Sequence, residues 1–330
     1  MYVVLRQLVI TYLSSQSFRY AMTYDGCTIS SLKGFYPMTL HWISLESGKS
    51  ISVLLDLLDV FPGDGVGKRV GQALFSRLRS FGISSRLLST TSDGASESQV
   101  ASKELAMLLL RHHGQDILQS SHMLRCMVHT YQLGVKSALE VIAPSTMKLR
   151  KTLHSIRKSK VSRAIFKKYS KNMHKNGEQE PPCLDCVTRW NSTLVMYQQA
   201  LKLRDILSCT VSDKAIAHEF VDHTLSIEDW NRIQSMEQWL HVPAIICNYM
   251  SDSKYPTLSI AAFAFKLLLS HCNSYIFMDM DSIDSPYEKI TLEVQKEASN
   301  KCLQYLIKYE ESLKSIPSRI AMFLDPRYFC

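Results

Sequence analysis

With 330 residues, 46% of them hydrophobic and 21% charged, the chain can bury a full core and form two structural units. No window approaches the roughly eighteen uncharged apolar residues that a membrane span needs, and the nine cysteines, odd in number and scattered, fit a reducing compartment rather than a disulfide framework. The net charge of +8 is unevenly placed: Lys148 to Lys175 holds eleven Lys or Arg residues and no Asp or Glu, so this one segment exceeds the excess of the whole chain. A basic stripe of this kind points to a polyanion, nucleic acid first, with a solvated helix face as the bland alternative.

In chain order, MYVVLRQLVITYL is apolar but interrupted by Arg6, and no small-residue cleavage site follows, so it reads as a helix or strand of the fold rather than a signal peptide. Ser17 to Tyr24, Gly34 to Ile43 and Ser50 to Phe61 read as strands, the last ended by the turn Pro62-Gly63-Asp64-Gly65. Val66 to Phe81 is helical, with Val70, Ala73, Leu74 and Leu78 on one face. Ser85 to Thr91 is a fourth strand, Ser98 to His112 a second helix and His122 to His129 a fifth strand. A meander followed by right-handed crossovers makes a mixed sheet with helices on its faces.

Beyond Thr130 only helices are expected: Tyr131 to Ala143, a continuous basic helix over Lys148 to Met173, Ser192 to Ser208, Ile227 to Met250, Leu258 to Asn273 and Pro286 to Lys314. The chain therefore divides into an α/β half, residues 1–130, and a helical half, residues 131–330.

Asp25 and Asp93 each lie just past the end of a short strand. If the first and fourth strands are parallel neighbours, both carboxylates emerge side by side, a pair of hard oxygen donors suited to Mg²⁺ in phosphodiester chemistry. Turn aspartates beside glycine give the competing reading. Cys126 and His129, with Cys183 and Cys186 much further along, have the ligand types of a tetrahedral zinc site. The wide separation and the lack of knuckle glycines argue against that site. A buried strand-end cysteine with a histidine facing the acidic pair fits as well.

Thr188-Arg189-Trp190-Asn191-Ser192-Thr193 leads into an amphipathic helix carrying Leu194, Tyr197, Leu201 and Leu203, with Asn191, Ser192 and Thr193 as capping residues. Arg189 and Trp190 suit gripping a phosphate and stacking on a base. The alternative is a core Trp beside a surface Arg.

Together these residues resemble the hAT superfamily of DNA transposases. The resemblance is carried in order by Asp25-Gly26-Cys27-Thr28 with Tyr36-Pro37-Met38-Thr39-Leu40-His41, by Thr91-Ser92-Asp93-Gly94-Ala95-Ser96 and by Leu124-Arg125-Cys126-Met127-Val128-His129. It continues through the basic stretch Lys148 to Tyr169, through Leu184-Asp185-Cys186-Val187-Thr188-Arg189-Trp190-Asn191-Ser192-Thr193, the most specific match, and through Leu324-Asp325-Pro326-Arg327-Tyr328. The resemblance implies a ribonuclease-H-like mixed five-stranded sheet interrupted by a large all-α insertion. It also implies Asp25 and Asp93 as two members of an acidic triad, His129 beside them, and Arg189 and Trp190 handling the DNA hairpin made during excision, Trp190 by stacking on a flipped base.

The chain departs from the family at Cys27, where Trp is usual, and at Gly94 and Glu97, where Asn is usual. The third acidic residue, a Glu on a helix after the insertion, has no counterpart, and Glu310 and Glu311 stand in the wrong place to substitute. The BED zinc finger and the C-terminal dimerisation segment are expected to be missing, so the chain reads as truncated.

The sequence thus predicts a hAT transposase-like, DNA-binding protein with a partial Mg²⁺- or Mn²⁺-dependent site for DNA cleavage and strand transfer, inactive by itself. Arg189, Trp190, Lys148, Arg150, Lys151, Arg157, Lys158, Lys160 and Arg163 are its DNA-binding candidates. DNA is the expected partner, self-association is left open, zinc is not expected, and the compartment is the nucleus or else the cytoplasm. The alternative is a non-catalytic nucleic-acid-binding or zinc-stabilised interaction protein derived from a transposase.

Overall fold

Alternation along the aromatic stretch and the apolar run after it builds the sheet. A computed structural model of the chain describes residues 2–28, 34–44, 46–114, 123–174, 177–186, 189–251, 257–281, 283–309, 321 and 323. Its strands are β1 (Tyr20–Tyr24), β2 (Cys27–Thr28), β3 (Gly34–Ile43), β4 (Ser50–Val60), β5 (Leu87–Ser92) and β6 (Met123–Arg125). β4 runs antiparallel along all of β3, from Gly34↔Val60 to Ile43↔Ser50. A strand has only two edges, so β1 and β2, which also pair with β3, must share its other edge, in line with each other. Across the sheet the order is β4, β3, β1 with β2, β5, β6. The first two pairings are antiparallel and the last two parallel. This is the expected mixed five-stranded sheet of an α/β fold, with the short β2 an extension of its central position.

Tyr20, Met22 and Tyr24 of β1 and Met38 and Leu40 of β3 face a single core with Leu74 and Leu78 of α2 (Val66–Ser80) and Leu105 and Leu109 of α3 (Ser96–His113). α2 and α3 approach closely through Gly67 and Gly71. A Cβ at Gly67 would lie 2.5 Å from the Glu97 carbonyl oxygen, and one at Gly71 would lie 2.6 Å from that of Ala101. On the opposite sheet face His41 bridges the Thr23 hydroxyl (2.8 Å) and the Ser52 hydroxyl (2.5 Å), tying β1 and β4 to β3. Burial holds the His41 imidazole below its usual range, and therefore neutral.

The chain forms two compact units. The first contains Met1–Thr130 and Met250–Phe263, together with the stretch from Tyr309; the second contains Tyr131–Tyr249 and Ala264–Lys308. Where an undivided helical half over residues 131–330 is expected, those two later stretches group with the sheet instead. The regular elements of the second unit's described residues are all helices.

Several boundaries differ from expectation. The N-terminal stretch is a helix, α1 (Tyr2–Ser15). The fifth strand ends at Arg125, because the Cys126 N–H makes the last ladder bond, to Ser92 O at 2.7 Å, while the Cys126 carbonyl accepts from Thr130 N. Cys126 to His129 therefore opens α4 (Met127–Leu139) rather than closing a strand. The basic helix is two helices, α5 (Ala143–Lys158) and α6 (Lys160–Met173). Ser159 is extended, and its hydroxyl caps the second helix by accepting from Ser162 N at 3.2 Å. The helix expected from Ser192 is α7 (Trp190–Lys202) followed by α8 (Arg204–Val211). Ser192 does not cap it: its hydroxyl bonds the Arg189 and Cys186 carbonyls and accepts from Cys186 N.

α9 (Ile227–Met250) contains Pro243, which cannot donate to the Trp239 carbonyl one turn earlier. His271 of α10 (Leu258–Ile276) takes that place, its Nε2 lying 3.0 Å from Trp239 O, and burial keeps its ring neutral. The Trp239 indole N–H donates to Ser299 of α11 (Pro286–Leu306) at 2.9 Å.

The glycine contact between α2 and α3 gives a direct prediction. Gly→Ala inside a helix ordinarily gains about 1 kcal/mol, but Gly71→Ala should instead lose about 1–3 kcal/mol through overpacking. A thermal melt in which the variant is more stable than the parent would contradict the close approach.

Candidate functional site

The parallel register of β1 on β5 pairs Thr23 with Thr91, so Asp25 and Asp93 leave adjacent strands at the same edge. Neighbouring strands run about 4.8 Å apart. Tyr24 anchors the end of β1: its buried hydroxyl donates to Ser98 O and accepts from the Ser102 hydroxyl, both at 2.6 Å, which ties the strand to α3. Each carboxylate is oriented by its own turn. Asp25 Oδ1 accepts from Gly26 N at 2.8 Å, and Asp93 Oδ1 from Ala95 N at 3.1 Å. Gly26 leaves room for the ring of Tyr36, whose Cε1 would stand 3.2 Å from a Cβ there.

Desolvation raises the Asp25 carboxyl above its ordinary value and the charge of Asp93 adds to it, while the Gly26 amide and His129 pull the other way. The Tyr36 phenol is raised by burial and then by Glu97 and Asp93, against the opposing charge of Arg69. The Cys126 thiol is raised by burial, although the His129 and Val128 amides at the start of α4 oppose this, and Asp25 and Asp93 raise it further. Asp25, Asp93 and His129, singled out in the sequence, are thus electrostatic neighbours, and Tyr36, Glu97 and Cys126 belong to the same neighbourhood.

Two hard carboxylates whose charges repel each other fit Mg²⁺ or Mn²⁺, which are commonly held by one or two carboxylates plus phosphate oxygens. Among the described residues no group of three or more His, Cys, Asp or Glu side chains is placed to hold a metal ion. Cys126 and His129 lie in the first unit, and Cys183 and Cys186 in the second. Glu310, Glu311 and the motif Leu324 to Tyr328 lie outside the described residues, as do Val187 and Thr188.

In the second unit the structure divides the basic residues by role. Arg150 grips Asp185 bidentately, Nε to Oδ1 at 2.8 Å and Nη2 to Oδ2 at 2.6 Å, and Thr193 donates to the same carboxylate at 2.6 Å. The Asp185 side chain is only 1% exposed. Burial opposes its ionisation, but the Arg150 and Thr193 bonds outweigh it and hold the carboxyl below the usual range. Lys148 pairs with Asp229 at 2.7 Å. Burial also opposes the Asp229 charge, yet Lys148, the Ser226 amide and the Ser145 and Ser226 hydroxyls bring its carboxyl down to about 2. Arg157 donates to the Pro181 carbonyl at 2.8 Å, Arg163 donates to the Arg157 carbonyl, and Lys167 pairs with Glu178 and Glu180.

Lys151, Lys158, Lys160, Lys168 and Lys171 are exposed and form no ion pair among the described residues. Lys151, His154 and Lys158 share the outer face of α5, and the first two line a shallow groove of about 430 Å³ with His223 and Leu184. Arg189 is exposed, but Trp190 is 2% exposed, packed into the core at the first turn of α7. The core-Trp, surface-Arg alternative is the one the structure adopts, and base stacking by Trp190 does not fit this burial. Its indole N–H finds no acceptor among the described residues. A pocket of about 240 Å³ beside it is walled by Thr193, Tyr197, Arg150 and Lys136.

Residues 124–239 match the family described as the ZBED1 RNase-like helical domain. The chain is 22% identical over 315 residues to a putative AC transposase of Zea mays, an alignment that covers 94% of this chain and 36% of that protein. It is 23% identical over 192 residues to a putative AC9 transposase of Zea mays, covering 57% of this chain and 22% of that protein. The chain therefore spans about a third or less of the length of the curated relatives it matches. No helix among the described residues is long and apolar enough to cross a membrane. The helical-domain match, the transposase alignment along almost the whole chain and the mixed sheet together support descent from a hAT-type transposase.

Proposed function

We propose that the chain is a nuclear DNA-binding protein of transposase descent that keeps a partial site for phosphodiester chemistry and does not turn over by itself. The observation that carries this reading is the side-by-side exit of Asp25 and Asp93 from β1 and β5, where the charge of Asp93 bears on the Asp25 carboxyl. A bound Mg²⁺ or Mn²⁺ would supply charge neutralisation and water activation for phosphoryl transfer. Asp25 and Asp93 are the residues of this chain that would hold it, with His129 beside them. Affinity would come from cations that form no ion pair among the described residues, Lys151 and Lys158 on α5 and Lys160, Lys168 and Lys171 on α6, with Arg189 at the entrance to α7. Arg150, Lys148 and Arg157 serve the fold.

DNA binding through these lysines releases counterions, so the affinity should fall steeply with salt. In fluorescence anisotropy with a short duplex, the double variant Lys151→Gln, Lys158→Gln should lower the slope of log K against log salt by about 2, close to 0.9 per phosphate contact. Arg150→Met should instead lower the melting temperature, because it leaves Asp185 buried and unpaired, at a cost of about 3–5 kcal/mol. Equal slopes for parent and double variant would place DNA elsewhere.

Incubated with Mg²⁺ and supercoiled plasmid, the chain should leave no more nicks than its Asp25→Asn variant. Robust nicking that Asp25→Asn abolishes would show that the two carboxylates suffice.

The carboxylate pair also predicts a pH-dependent stability. A carboxyl raised on folding holds its proton more tightly in the folded chain. Its stabilising contribution is therefore complete below the unfolded value, about 3.9, and is lost as pH rises through the folded value. Above that pH, ionised Asp25 faces Asp93. Asp93→Asn should thus raise the melting temperature at pH 7 and change it little near pH 3, and Mg²⁺ should stabilise the parent more than the variant. A variant less stable than the parent at pH 7, with no differential effect of Mg²⁺, would count against the pairing.

A further inference from the structure

We propose that Arg125 is a phosphate-binding residue for DNA at the carboxylate edge, holding a backbone phosphate beside Asp93. The inference rests on the reading of that edge as a phosphodiester site, and it assigns a role to a cation that forms no ion pair among the described residues. Arg125 ends β6, with Ser92 as its pairing partner on β5, and the Cys126-to-Ser92 bond at 2.7 Å closes the ladder behind it. Its backbone is therefore fixed one strand over from Asp93.

Its side chain is held from two directions. Gly94 is in the left-handed region, with φ 81°, and has no side chain. A Cβ there would meet Arg125 Cδ at 3.5 Å, Cγ at 3.6 Å and Nη1 at 3.7 Å, so the arginine lies across the Asp93-Gly94 turn. On its other side the guanidinium carbon lies 5.3 Å from the centroid of the Tyr309 ring, at cation–π range. Stacking on an aromatic face leaves the in-plane N–H groups of a guanidinium free, and a planar fork of donors suits a phosphate better than a point charge does.

The contrast with the second unit sharpens the assignment. Arg150 is consumed by a buried carboxylate, whereas Arg125, half-buried, forms no ion pair among the described residues. Holding such a cation across the Asp93-Gly94 turn, with no ion pair among the described residues, leaves its charge available to an anion that arrives from outside. The acidic pair alone would repel DNA. A fixed cation on the adjacent strand offsets that repulsion and gives the incoming phosphate a register relative to Asp25 and Asp93.

The test is anisotropy titration of the full chain with a short duplex at several salt concentrations in the presence of Mg²⁺. Arg125→Gln should weaken binding roughly tenfold, as expected for loss of a charge-assisted bond, and lower the salt slope by about 1. Arg125→Lys should recover the slope without the full affinity. An unchanged slope in Arg125→Gln, with a lowered slope in Lys151→Gln, would overturn the assignment while leaving DNA binding intact. Flat salt dependence in the parent would remove both. Should Arg125→Gln fail to fold, phenylglyoxal labelling of the parent gives a second measurement. Protection of Arg125 by the duplex, mapped by mass spectrometry, is expected, and equal labelling with and without DNA would overturn the assignment.

Discussion

The parallel pairing of β1 with β5 is the constraint on which the first unit depends. These strands have five and six residues, and side chains alternate faces, so a slip of one residue would turn Met22 and Tyr24 out of the core and set Asp25 out of step with Asp93. The register is defended on both faces at the C-terminal end of β1. Tyr24 is pinned to Ser98 and Ser102 of α3, and Thr23 is pinned through His41 to Ser52 of β4. α3 is in turn locked against α2 by the two glycines that admit its backbone. Mutual repulsion at the strand ends is tolerated because this packing, and not the carboxylates, fixes where they stand. Functional sites commonly carry destabilising features of this kind, offset by the scaffold around them.

Much of this was legible in the residues. Aromatic alternation in β3, the apolar run of β4 and the glycine turns pointed to the meander, and the helix between strands favoured the parallel arrangement that sets Asp25 beside Asp93. Boundaries set by hydrogen-bond competition were less legible. Leu124 to His129 alternates well enough for a strand, but nothing in its composition says that the carbonyl of Cys126 will accept from Thr130 and start a helix. Ser159 is a recognisable cap with no acidic partner three residues on, and a continuous apolar stripe hid the break it makes. Pro243 leaves the Trp239 carbonyl without its helical donor, and the partner it takes instead, His271, lies 32 residues away in sequence.

Trp190 shows where local chemistry misleads. An Arg–Trp pair at a helix entrance invites a stacking role, but the decision is made by Asp185, five residues before it. That carboxylate is buried, so it must be paired. Arg150 supplies the fork and Thr193 the remaining donor, which draws the loop onto α5 and carries the indole inward. One long-range ion pair therefore overrides the exposure that a polar hexapeptide would suggest.

The same pair changes what the basic segment means. Its eleven cations are not eleven phosphate contacts, because helical phase sorts them. Arg150 and Arg157, seven residues apart on one face of α5, turn toward the loop that carries Pro181 and Asp185 and are spent on it. Lys151 and Lys158, one position on, share the outer face with His154 and are not. A difference of 100° around the helix axis thus separates a structural charge from a free one. Net charge counted along the sequence overstates the electrostatic footprint, and only the outward set can release counterions from DNA. Arg125 belongs with that outward set despite its burial, since stacking on Tyr309 holds a guanidinium in place without consuming its charge. The test for any cation in such a fold is therefore which acceptor its donors already have, rather than how far it is exposed.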